Sequence, residues 1–401
     1  MFQTFTGKQY LMIDIANNFG LDKDDWDDRL AWFEKNEATL ESLSSAAAEP
    51  ALFAAGVRAW RNVQKGGVNH YPISLDATSS GIQLLSCLTG DRKGAELCNV
   101  IDIGHRADAY TIQYKNMLEK TGGDARVDRS KCKDAIMTAF YGSEATPKKV
   151  FGEGQLLAIF NETMEEGAPY AWELNQACLA IWNPEATSYD WVMPNNFHVH
   201  IKVMNQVTET VHFLDKPYDV HYTVQMAIEK GRSLCANMTH SVDGMVVSEM
   251  KSRCGFDPII TTFLHGLCAA SPKGKTGIGR MADEMVSTIW GHYTDSGFLS
   301  VRILDYLDAE NIDLVDRQVI RDLIQTLPAK PFDIISVHDC FRCLPNYGND
   351  LRRQYNQILS DIARSDLLSF LMSQILGRIV TIEKGDKEMW KDILEANYAL
   401  S

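Results

Sequence analysis

Apolar residues recur every three or four positions over most of this chain, a spacing that predicts a mainly helical protein. In residues 24–47, Trp26, Leu30 and Phe33 stand among acidic side chains, which indicates a helix with one buried face. The same spacing predicts further helices over residues 50–64, 81–88, 104–120, 127–141, 227–252 and 347–380.

Three other segments have the pattern of β-structure. Residues 72–76 form a short apolar run that ends in an aspartate, which predicts a strand. Residues 332–337 are also mainly apolar, and they predict a buried strand that leads into a His-Asp pair. Residues 196–222 alternate apolar and polar side chains, so a β-hairpin or ribbon is expected there.

The composition is that of an ordinary globular protein, with 45% hydrophobic and 23% charged residues. No apolar run reaches about 18 residues and the start lacks a signal-peptide pattern, so no membrane partner is expected. The nine scattered cysteines favour reduced thiols. The net charge of −14 disfavours a simple nucleic-acid coat, but it is compatible with an enzyme that uses metal-binding carboxylates.

The first candidate site begins at Asp76, in the segment Asp-Ala-Thr-Ser-Ser-Gly-Ile-Gln of residues 76–83. A strand holds such an aspartate in place and the following turn exposes it, which suits a metal ligand. The alternative is ordinary helix capping, because Asp, Thr and Ser before a helix accept hydrogen bonds from its first amides.

The second candidate site is a predicted helix that carries Arg129 and Lys133 and is followed by Tyr141 and Gly142. A spacing of four places both cations on one helical face. Two aligned cations can hold a triphosphate, whose charge must be neutralised in phosphoryl transfer. The alternative is a solvated basic face.

The third candidate site is the pair His338-Asp339, which follows the apolar run at 332–337. A tight turn at this point would present Asp339 at the tip of a hairpin. Burial of such a polar pair is costly unless it is paired or bound to metal. The alternative is an incidental acid in a turn at the end of a strand.

The three sites together, in this order along the chain, follow the plan of palm-and-fingers polymerases. An aspartate after a strand comes first, then a helix with Arg, Lys, Tyr and Gly, then a His-Asp hairpin. Two carboxylates that such a fold brings together can hold two Mg²⁺ ions about 3.5–4 Å apart.

The chain resembles the single-subunit RNA polymerases of phages and mitochondria. Residues 76–83 resemble motif A, D-x-S-x-S-G-I-Q, with Ala-Thr where Gly-Ser is commoner. Residues 129–143 match motif B, R-x3-K-x3-M-T-x2-Y-G-S, and residues 338–341 resemble motif C, H-D-S-F, with cysteine for serine. Residues 240–244 match the segment H-S-x-D-G, and residues 393–401 resemble the family's I-L-E-x-x-F-A-x-A ending.

This resemblance implies an α+β fold with the palm and fingers of a right-hand polymerase, mostly helical with a small antiparallel palm sheet. It implies two Mg²⁺ ions as cofactor, and the implied metal ligands are Asp76, Asp339 and the carbonyl of Ala77, with His338 in support. The implied catalytic residues are Asp76, Asp339, Lys133 and Tyr141. The implied nucleotide-binding residues are Arg129, Lys133, Tyr141, Gly142, His240 and Gly81.

The reaction implied by the resemblance is synthesis of RNA from NTPs on a DNA template. The related DNA polymerases carry, at the position of Gly81, a glutamate that blocks a 2′-hydroxyl group, and glycine cannot do so. The alternatives are a DNA polymerase of the related A-type family and a non-catalytic subunit on a polymerase fold. The second alternative would predict the loss of at least one catalytic residue.

Parts of the polymerase that precede motif A in the family are missing here. The amino-terminal domain and the thumb are absent, and no D-x-x-G-R motif is found. The chain is either a fragment of a longer enzyme or one part of a naturally split enzyme, and the start at Met1 favours a natural chain. It resembles the larger chain of the heterodimeric RNA polymerases of N4-like phages (Schitoviridae). The implied partners are DNA template, RNA product, NTPs, a smaller polypeptide with the missing parts, and a phage single-stranded-DNA-binding or recruiting factor, in the cytoplasm of an infected bacterial host.

Four domains are expected. Residues 1–110 hold the helices before motif A and the first part of the palm. Residues 111–235 form the fingers, with motif B and a ribbon at about 196–222 where the family has its promoter-specificity loop. Residues 236–345 form the second part of the palm, with motif C and an insertion at about 255–330, and residues 346–401 form a helical palm segment and tail.

Overall fold

The computed structural model describes residues 1–231, 233–271 and 279–401. Within these residues the chain is mainly helical and has three small antiparallel sheets, which confirms the predicted mostly helical α+β character. Residues 272–278, inside the insertion expected at 255–330, lie outside the described residues.

Helices make up most of the fold. In chain order they are α1 (Gly7–Ala16), α2 (Trp26–Asn36), α3 (Pro50–Gln64), α4 (Ser80–Thr89), α5 (Arg92–Leu97), α6 (Ala109–Lys120), α7 (Arg129–Ala139), α8 (Ala145–Phe151), α9 (Gln155–Gly167), α10 (Pro169–Ala180), α11 (Ser233–Cys254), α12 (Pro258–Ala269), α13 (Met281–Ser296), α14 (Arg317–Gln325), α15 (Gly348–Arg364), α16 (Leu367–Leu376) and α17 (Trp390–Ile393). Shorter 3₁₀ or π segments are Asn17–Leu21, Glu37–Ala46, Val301–Asp305, Ile312–Leu314 and Pro345–Tyr347.

The strands are short and pair only in antiparallel fashion. They are β1 (Ile73–Asp76), β2 (Ser188–Val192), β3 (His198–Lys202), β4 (Met204–Phe213), β5 (Lys216–Gln225), β6 (Ile335–Val337) and β7 (Cys340–Cys343). The first sheet has the order β1-β7-β6, and the other two are the hairpins β2-β3 and β4-β5.

Aspartate side chains begin several of these helices. Each accepts hydrogen bonds from amides of the first turn that have no partner inside the helix. A negative charge at this end also complements the helix dipole. Part of the chain's acidity therefore serves helix capping, and the capping residues include Asp91, Asp108, Asp128, Asp257 and Asp316.

Strand β1 is paired along both edges near its end. On one side it pairs with β7, with Asp76 opposite Cys340. On the other side the amide of Asp76 donates to the Ser401 carbonyl at 3.2 Å, and the Ser401 amide donates to the Asp76 carbonyl at 2.9 Å. A further bridge joins Ala77 to Leu400. The end of β1 is therefore an inner position of the sheet, although β1 has only four residues.

The structure corrects two details of the predicted strands. The apolar run at 332–337 is not a buried strand, since only Ile335–Val337 is extended, and Ile335 and Val337 are 56% and 51% exposed. The reason is that β6 is the outer strand and pairs with β7 alone. The β-hairpin or ribbon predicted at 196–222 is confirmed as β-structure, but it consists of parts of two consecutive hairpins, β2-β3 and β4-β5, and most side chains of β4-β5 are exposed.

The predicted helix over residues 24–47 is divided. Helix α2 ends at Asn36, and a 3₁₀ segment continues to Ala46. In this segment the Thr39 hydroxyl donates to the Asn36 carbonyl at 3.3 Å, and the Ser42 hydroxyl donates to the Thr39 carbonyl at 2.7 Å. Hydroxyl groups that bond to nearby backbone compete with regular helix. The predicted helix over 347–380 is likewise two helices, α15 and α16, with extended backbone at Ser365.

The predicted insertion has a hydrophobic core of its own. Leu264, Val286, Ile289, Ile303 and Ile320 belong to a cluster separate from the main core. The main core packs against β1 and β7 of the first sheet and is formed by helices from both halves of the chain. Among the helices that the structure describes, none combines the length and apolar character needed to cross a lipid bilayer.

Arg352 of α15 links three separate segments. Its side chain is buried, and one Nη atom donates to the Gln3 carbonyl at 2.9 Å and to the Tyr10 hydroxyl at 3.0 Å. The other Nη atom donates to the Asn397 carbonyl at 2.9 Å. One guanidinium group thus joins the segments before α1 and after α17 to the centre of the fold.

We predict that Arg352→Met lowers the free energy of unfolding by about 3 kcal/mol, because buried acceptors would lose their donors. Urea unfolding followed by circular dichroism measures this change. The control is Arg353→Met, at the neighbouring exposed position, which should cost about 0.5 kcal/mol or less. Similar losses for both variants would contradict the linking role of Arg352.

Candidate active site

Asp76 and Asp339 are brought together by the pairing of β1 with β7. Asp76 is the last residue of β1, and Asp339 lies in the turn between β6 and β7. The amide of Ala77 donates to the Asp339 carbonyl at 3.2 Å. His338 has a φ of 55°, a left-handed conformation that closes the turn. The hairpin tip therefore presents Asp339 beside Asp76, as the sequence predicts.

Negative charge on both members of this acidic pair is unfavourable when no cation is bound. Burial raises the pKa of Asp76 to about 6, and the nearby Asp339 carboxylate adds to this effect. Burial and Asp339 also raise the pKa of Asp243 on α11, against the opposing influence of His240 and His338. Carboxylates in this situation favour either a proton or a bound cation.

The turn after β1 is held by a buried hydrogen-bond network. Ser79 has a φ of 94°, which non-glycine residues rarely adopt. Gln83 is fully buried, and its amide nitrogen donates to the Thr78 hydroxyl at 3.1 Å and to the Ala399 carbonyl at 2.9 Å. The Tyr355 hydroxyl donates to the Gln83 side-chain oxygen at 2.7 Å. These bonds hold the strained turn, and with it the direction of Asp76.

The two cations of α7 lie on the same face of that helix. The Arg129 guanidinium donates to Asp108 at 2.7 Å and to the Thr111 hydroxyl at 2.8 Å, which fixes it against the start of α6. The Lys133 ammonium lies 5.6 Å from the centre of the Tyr110 ring. Within the described residues Lys133 has no ion-pair partner, so its charge is available to a ligand.

Tyr141 follows α7 and packs closely on Gly81. A Cβ atom at position 81 would lie 2.6 Å from the Tyr141 hydroxyl oxygen, so any larger residue would have to displace the Tyr141 ring. The His240 ring meets the Tyr141 ring edge-on, with centroids 5.0 Å apart. Burial raises the pKa of Tyr141 to about 12, so its hydroxyl stays neutral and can donate a hydrogen bond.

A cavity of about 360 Å³ joins these elements. Its lining includes seven of the predicted site residues, namely Asp76, Ala77, Gly81, Arg129, Lys133, Tyr141 and Asp339. His240 does not line the cavity itself, but its ring packs against Tyr141, which does. His338 is exposed in the turn beside Asp339. Gly142 is not in this lining; it lines a separate cavity of about 120 Å³.

Sequence reasoning missed several residues of the same cavity. They are Asp22, Lys23, Arg106, Asp108 and Tyr110. In the sequence Asp108 has only the pattern of a helix N-cap, and nothing in that pattern indicates that it also pairs with Arg129. The others reach the cavity from loops or helix ends through long-range packing, which periodicity does not reveal. Asp243 is not part of this lining, but its carboxyl group interacts with Asp339. Its acidity within the H-S-x-D-G segment is the signal that marks it as a candidate site residue.

The donor atoms at the acidic pair fit Mg²⁺. Two carboxylates and the Ala77 carbonyl are hard oxygen ligands, which this ion prefers. Among the described residues no group of three or more His, Cys, Asp or Glu side chains could hold a metal ion. Mg²⁺ is commonly held by one or two carboxylates together with water and substrate phosphates, so an incomplete protein shell beside an open cavity is suitable.

Two carboxylates at adjacent strand ends, facing cations across a cavity, are the arrangement of nucleotidyl-transfer proteins, the class that includes nucleic-acid polymerases. The chain belongs to the DNA-dependent RNA polymerase family, whose sequence model matches residues 4–229 of the 401. This match includes Asp76, Lys133 and Tyr141. It ends before His240 and Asp339, which the fold adds to the same site.

Matches to individual proteins named as RNA polymerases support this family assignment. The chain is similar to the probable DNA-directed RNA polymerase of Neurospora crassa, with 29% identity over 168 residues, 37% of this chain and 18% of the relative. The chain is also similar to DNA-directed RNA polymerase 1, mitochondrial, of Arabidopsis thaliana, with 26% identity over 178 residues. This match covers 34% of this chain and 18% of the relative. Identity to the mitochondrial DNA-directed RNA polymerase of Schizosaccharomyces pombe is 29% over 163 residues. This match covers 34% of this chain and 14% of the relative. The chain spans less than a fifth of the length of these relatives.

We predict that Asp76→Asn stabilises the metal-free protein at pH 7.5. The folded protein holds the Asp76 proton more tightly than the unfolded chain, since its pKa is raised from 3.8 to about 6. The charged carboxylate therefore lowers stability progressively as pH rises from about 4 to 6, and fully above that. Because Asp76 is also partly exposed at the cavity, solvent screening should reduce the gain to about 1 kcal/mol at pH 7.5, and the gain should be close to zero below pH 4.

Urea unfolding in EDTA at several pH values measures this difference. Asp215→Asn, at the exposed tip of the β4-β5 hairpin, is the control and should change stability little at any pH. A loss of stability in Asp76→Asn at pH 7.5 would show that burial and the Asp339 carboxylate do not make the charged Asp76 unfavourable.

We predict that the effect of Gly81→Ala depends on Tyr141. In the wild-type background the new methyl group collides with the Tyr141 ring and should cost about 1–3 kcal/mol. In a Tyr141→Ala background the same change should stabilise α4 by up to about 1 kcal/mol, because alanine favours helix. A double-mutant cycle of unfolding free energies tests this. Equal effects in both backgrounds would show that the two residues do not interact.

Proposed function

We propose that this chain catalyses template-directed RNA synthesis, the transfer of nucleotides from NTPs on a DNA template, by a two-metal-ion mechanism. The observation that carries the proposal is the position of Asp76 and Asp339, side by side at a cavity that Arg129 and Lys133 also line. Membership of the RNA polymerase family supports the same reaction.

In this reaction the 3′-hydroxyl oxygen of the RNA forms a bond to the α-phosphorus of the incoming NTP. The bond between the α-phosphorus and the bridging oxygen breaks, pyrophosphate leaves, and the hydroxyl proton passes to solvent. Two Mg²⁺ ions held by Asp76, Asp339 and the Ala77 carbonyl would supply charge stabilisation to the attacking and leaving oxygens.

The cations of α7 have the positions needed to bind the triphosphate. Among the residues that the structure describes, the Lys133 ammonium has no ion-pair partner at the cavity, and it supplies a point charge for the phosphates. Arg129 is held by Asp108 through one side of its guanidinium, so its orientation is set before substrate arrives. Fixed charges of this kind stabilise developing negative charge without reorganisation.

Ribose selection is assigned to Gly81, Tyr141 and His240. Gly81 has no side chain that could occupy the space of a 2′-hydroxyl group. The neutral Tyr141 hydroxyl and the adjacent His240 ring offer polar groups beside it. This arrangement favours NTPs over dNTPs, and the DNA polymerase alternative predicts the reverse preference.

The finer proposal is that the chain is the catalytic subunit of a split phage RNA polymerase that transcribes viral genes in the cytoplasm of the bacterial host. Residues 1–110 and 236–401 would form the palm, and residues 111–235 the fingers. A second, smaller polypeptide would supply the thumb, the amino-terminal parts and the D-x-x-G-R motif, and a single-stranded-DNA-binding factor would recruit the enzyme.

We predict extension of an RNA primer on a single-stranded DNA template with Mg²⁺ and NTPs, by this chain together with the complementing polypeptide. Asp339→Asn should lower the rate at least about 10³-fold, because it removes a charge from the metal site. Asp215→Asn, a matched change at an exposed turn, should keep the wild-type rate. Preferential use of dNTPs would favour a DNA polymerase. No extension by the folded assembly would favour the non-catalytic alternative.

We predict that the chain alone is inactive or very weak in the same assay, because the thumb and the upstream motif help to hold the RNA–DNA hybrid. Extension products resolved by length measure both activity and processivity. Robust processive synthesis by the purified single chain would contradict the split-enzyme proposal, while leaving the proposed reaction intact.

A further inference from the structure

Arg106 lines the same cavity and has no role in the site described so far. It lies in the loop between α5 and α6. Its amide donates to the Asp25 carboxylate at 2.6 Å, which ties the loop to the start of α2. Its side-chain Nε donates to the Ser401 hydroxyl at 3.3 Å. The backbone and the base of the guanidinium are therefore fixed.

The charge of Arg106 is not matched by a contacting acid. In the part of the chain that the structure describes, no carboxylate lies within ion-pair distance of its guanidinium, whereas Arg129 pairs with Asp108 at 2.7 Å. Burial lowers the pKa of Arg106, and Asp22 and Asp108 act on it only from a distance. A partly desolvated cation without a paired anion is unfavourable, and an anion bound in the cavity would relieve the cost.

We propose that Arg106 binds a phosphate group in this cavity, as a further cation beside Arg129 and Lys133. The inference rests on the proposed function, and it adds a phosphate-binding residue that neither the motifs nor the comparisons indicate. The phosphate can belong to the incoming nucleotide and its pyrophosphate product, or to the backbone of the RNA–DNA duplex.

The charge balance of the cavity supports this assignment. Its lining has four cations and four acids, namely Lys23, Arg106, Arg129 and Lys133, and Asp22, Asp76, Asp108 and Asp339. A divalent cation at Asp76 and Asp339 would neutralise that pair and leave the cations in excess. The cavity then attracts an anion of high charge density, as a phosphate chain is.

The geometry of the guanidinium also favours phosphate. Nε donates to Ser401, and within the described residues the two terminal nitrogens donate no hydrogen bond, so they remain for a ligand. Arginine presents such nitrogens as a planar fork that matches two oxygens of one phosphate group, whereas lysine offers a single point charge. Arginine and lysine at position 106 should therefore bind phosphate with different affinities.

The test measures equilibrium binding to the chain itself, with Mg²⁺ present. The probes are inorganic pyrophosphate, GTP, and an RNA primer–DNA template duplex. Arg106→Gln should weaken binding of at least one probe about tenfold or more, which is typical for loss of a charge-assisted hydrogen bond. Arg106→Lys should have an intermediate effect. Thermal unfolding of each variant verifies that the protein is folded.

Two controls separate phosphate binding from a structural effect. Arg126→Gln removes an exposed arginine that pairs with Asp124 away from the cavity, and it should bind every probe as the wild type does. Ser401→Ala removes the hydrogen bond to Nε but keeps the guanidinium, so the affinity for the probes should be retained. If Ser401→Ala weakens binding as much as Arg106→Gln does, the role of Arg106 is structural and the inference is wrong.

The pattern of results also identifies the source of the phosphate. Weaker binding of pyrophosphate and GTP alone assigns Arg106 to the nucleotide, and weaker binding of the duplex alone assigns it to the nucleic-acid backbone. Unchanged affinity for all three probes, or no binding by the wild type, overturns the inference. These measurements need no turnover. Arg106-dependent binding in a protein that extends no primer would therefore retain the inference while the proposed function fails.

Discussion

The antiparallel pairing of β1 with β7 places two carboxylates side by side, and most of the site follows from this constraint. The amide of Ala77 bonds to the carbonyl of Asp339, and residues 399–401 pair with the opposite edge of β1. Neither aspartate can move away from the other without loss of these backbone bonds. Burial and the nearby Asp339 carboxylate, which together raise the pKa of Asp76, are therefore maintained by the sheet, and the surrounding core offsets their cost.

The remaining parts of the site are arranged around the acidic pair by helices with fixed ends. Asp128 caps α7, and Asp108 both caps α6 and holds Arg129, so a single carboxylate couples the two helices at the cavity. The contact of Tyr141 with Gly81 closes the cavity between α7 and α4. Acidic side chains thus serve two purposes here: some set the helices, and others carry the charge on which the proposed chemistry depends.

Local patterns in the sequence were sufficient for the parts of the site that lie within one element. The spacing of Arg129 and Lys133, and the turn that exposes Asp339, follow from helix and hairpin geometry. Long-range packing decides the rest. Lys23 reaches the cavity from the loop before α2, and Arg106 reaches it from the loop before α6. The helix predicted over 104–120 is wrong at its start, since α6 begins at Ala109, and the Arg106 amide bonds instead to Asp25 at the start of α2. The exposure of β6 could not be predicted either, because apolar composition does not distinguish an outer strand from an inner one.

The pairing of Asp76 with Cys340 has a consequence for the order of events during folding. The two partners lie in distant parts of the chain, and Gln83 bonds to Tyr355 and Ala399 across a similar separation. Contacts of such high sequence separation form late, because the loop they close is long and its entropy is lost first. During synthesis on the ribosome, the segment with Asp76 emerges well before its partners. The nascent chain therefore has no assembled acidic pair, and the two carboxylates proposed to hold Mg²⁺ should come together only when the whole fold closes.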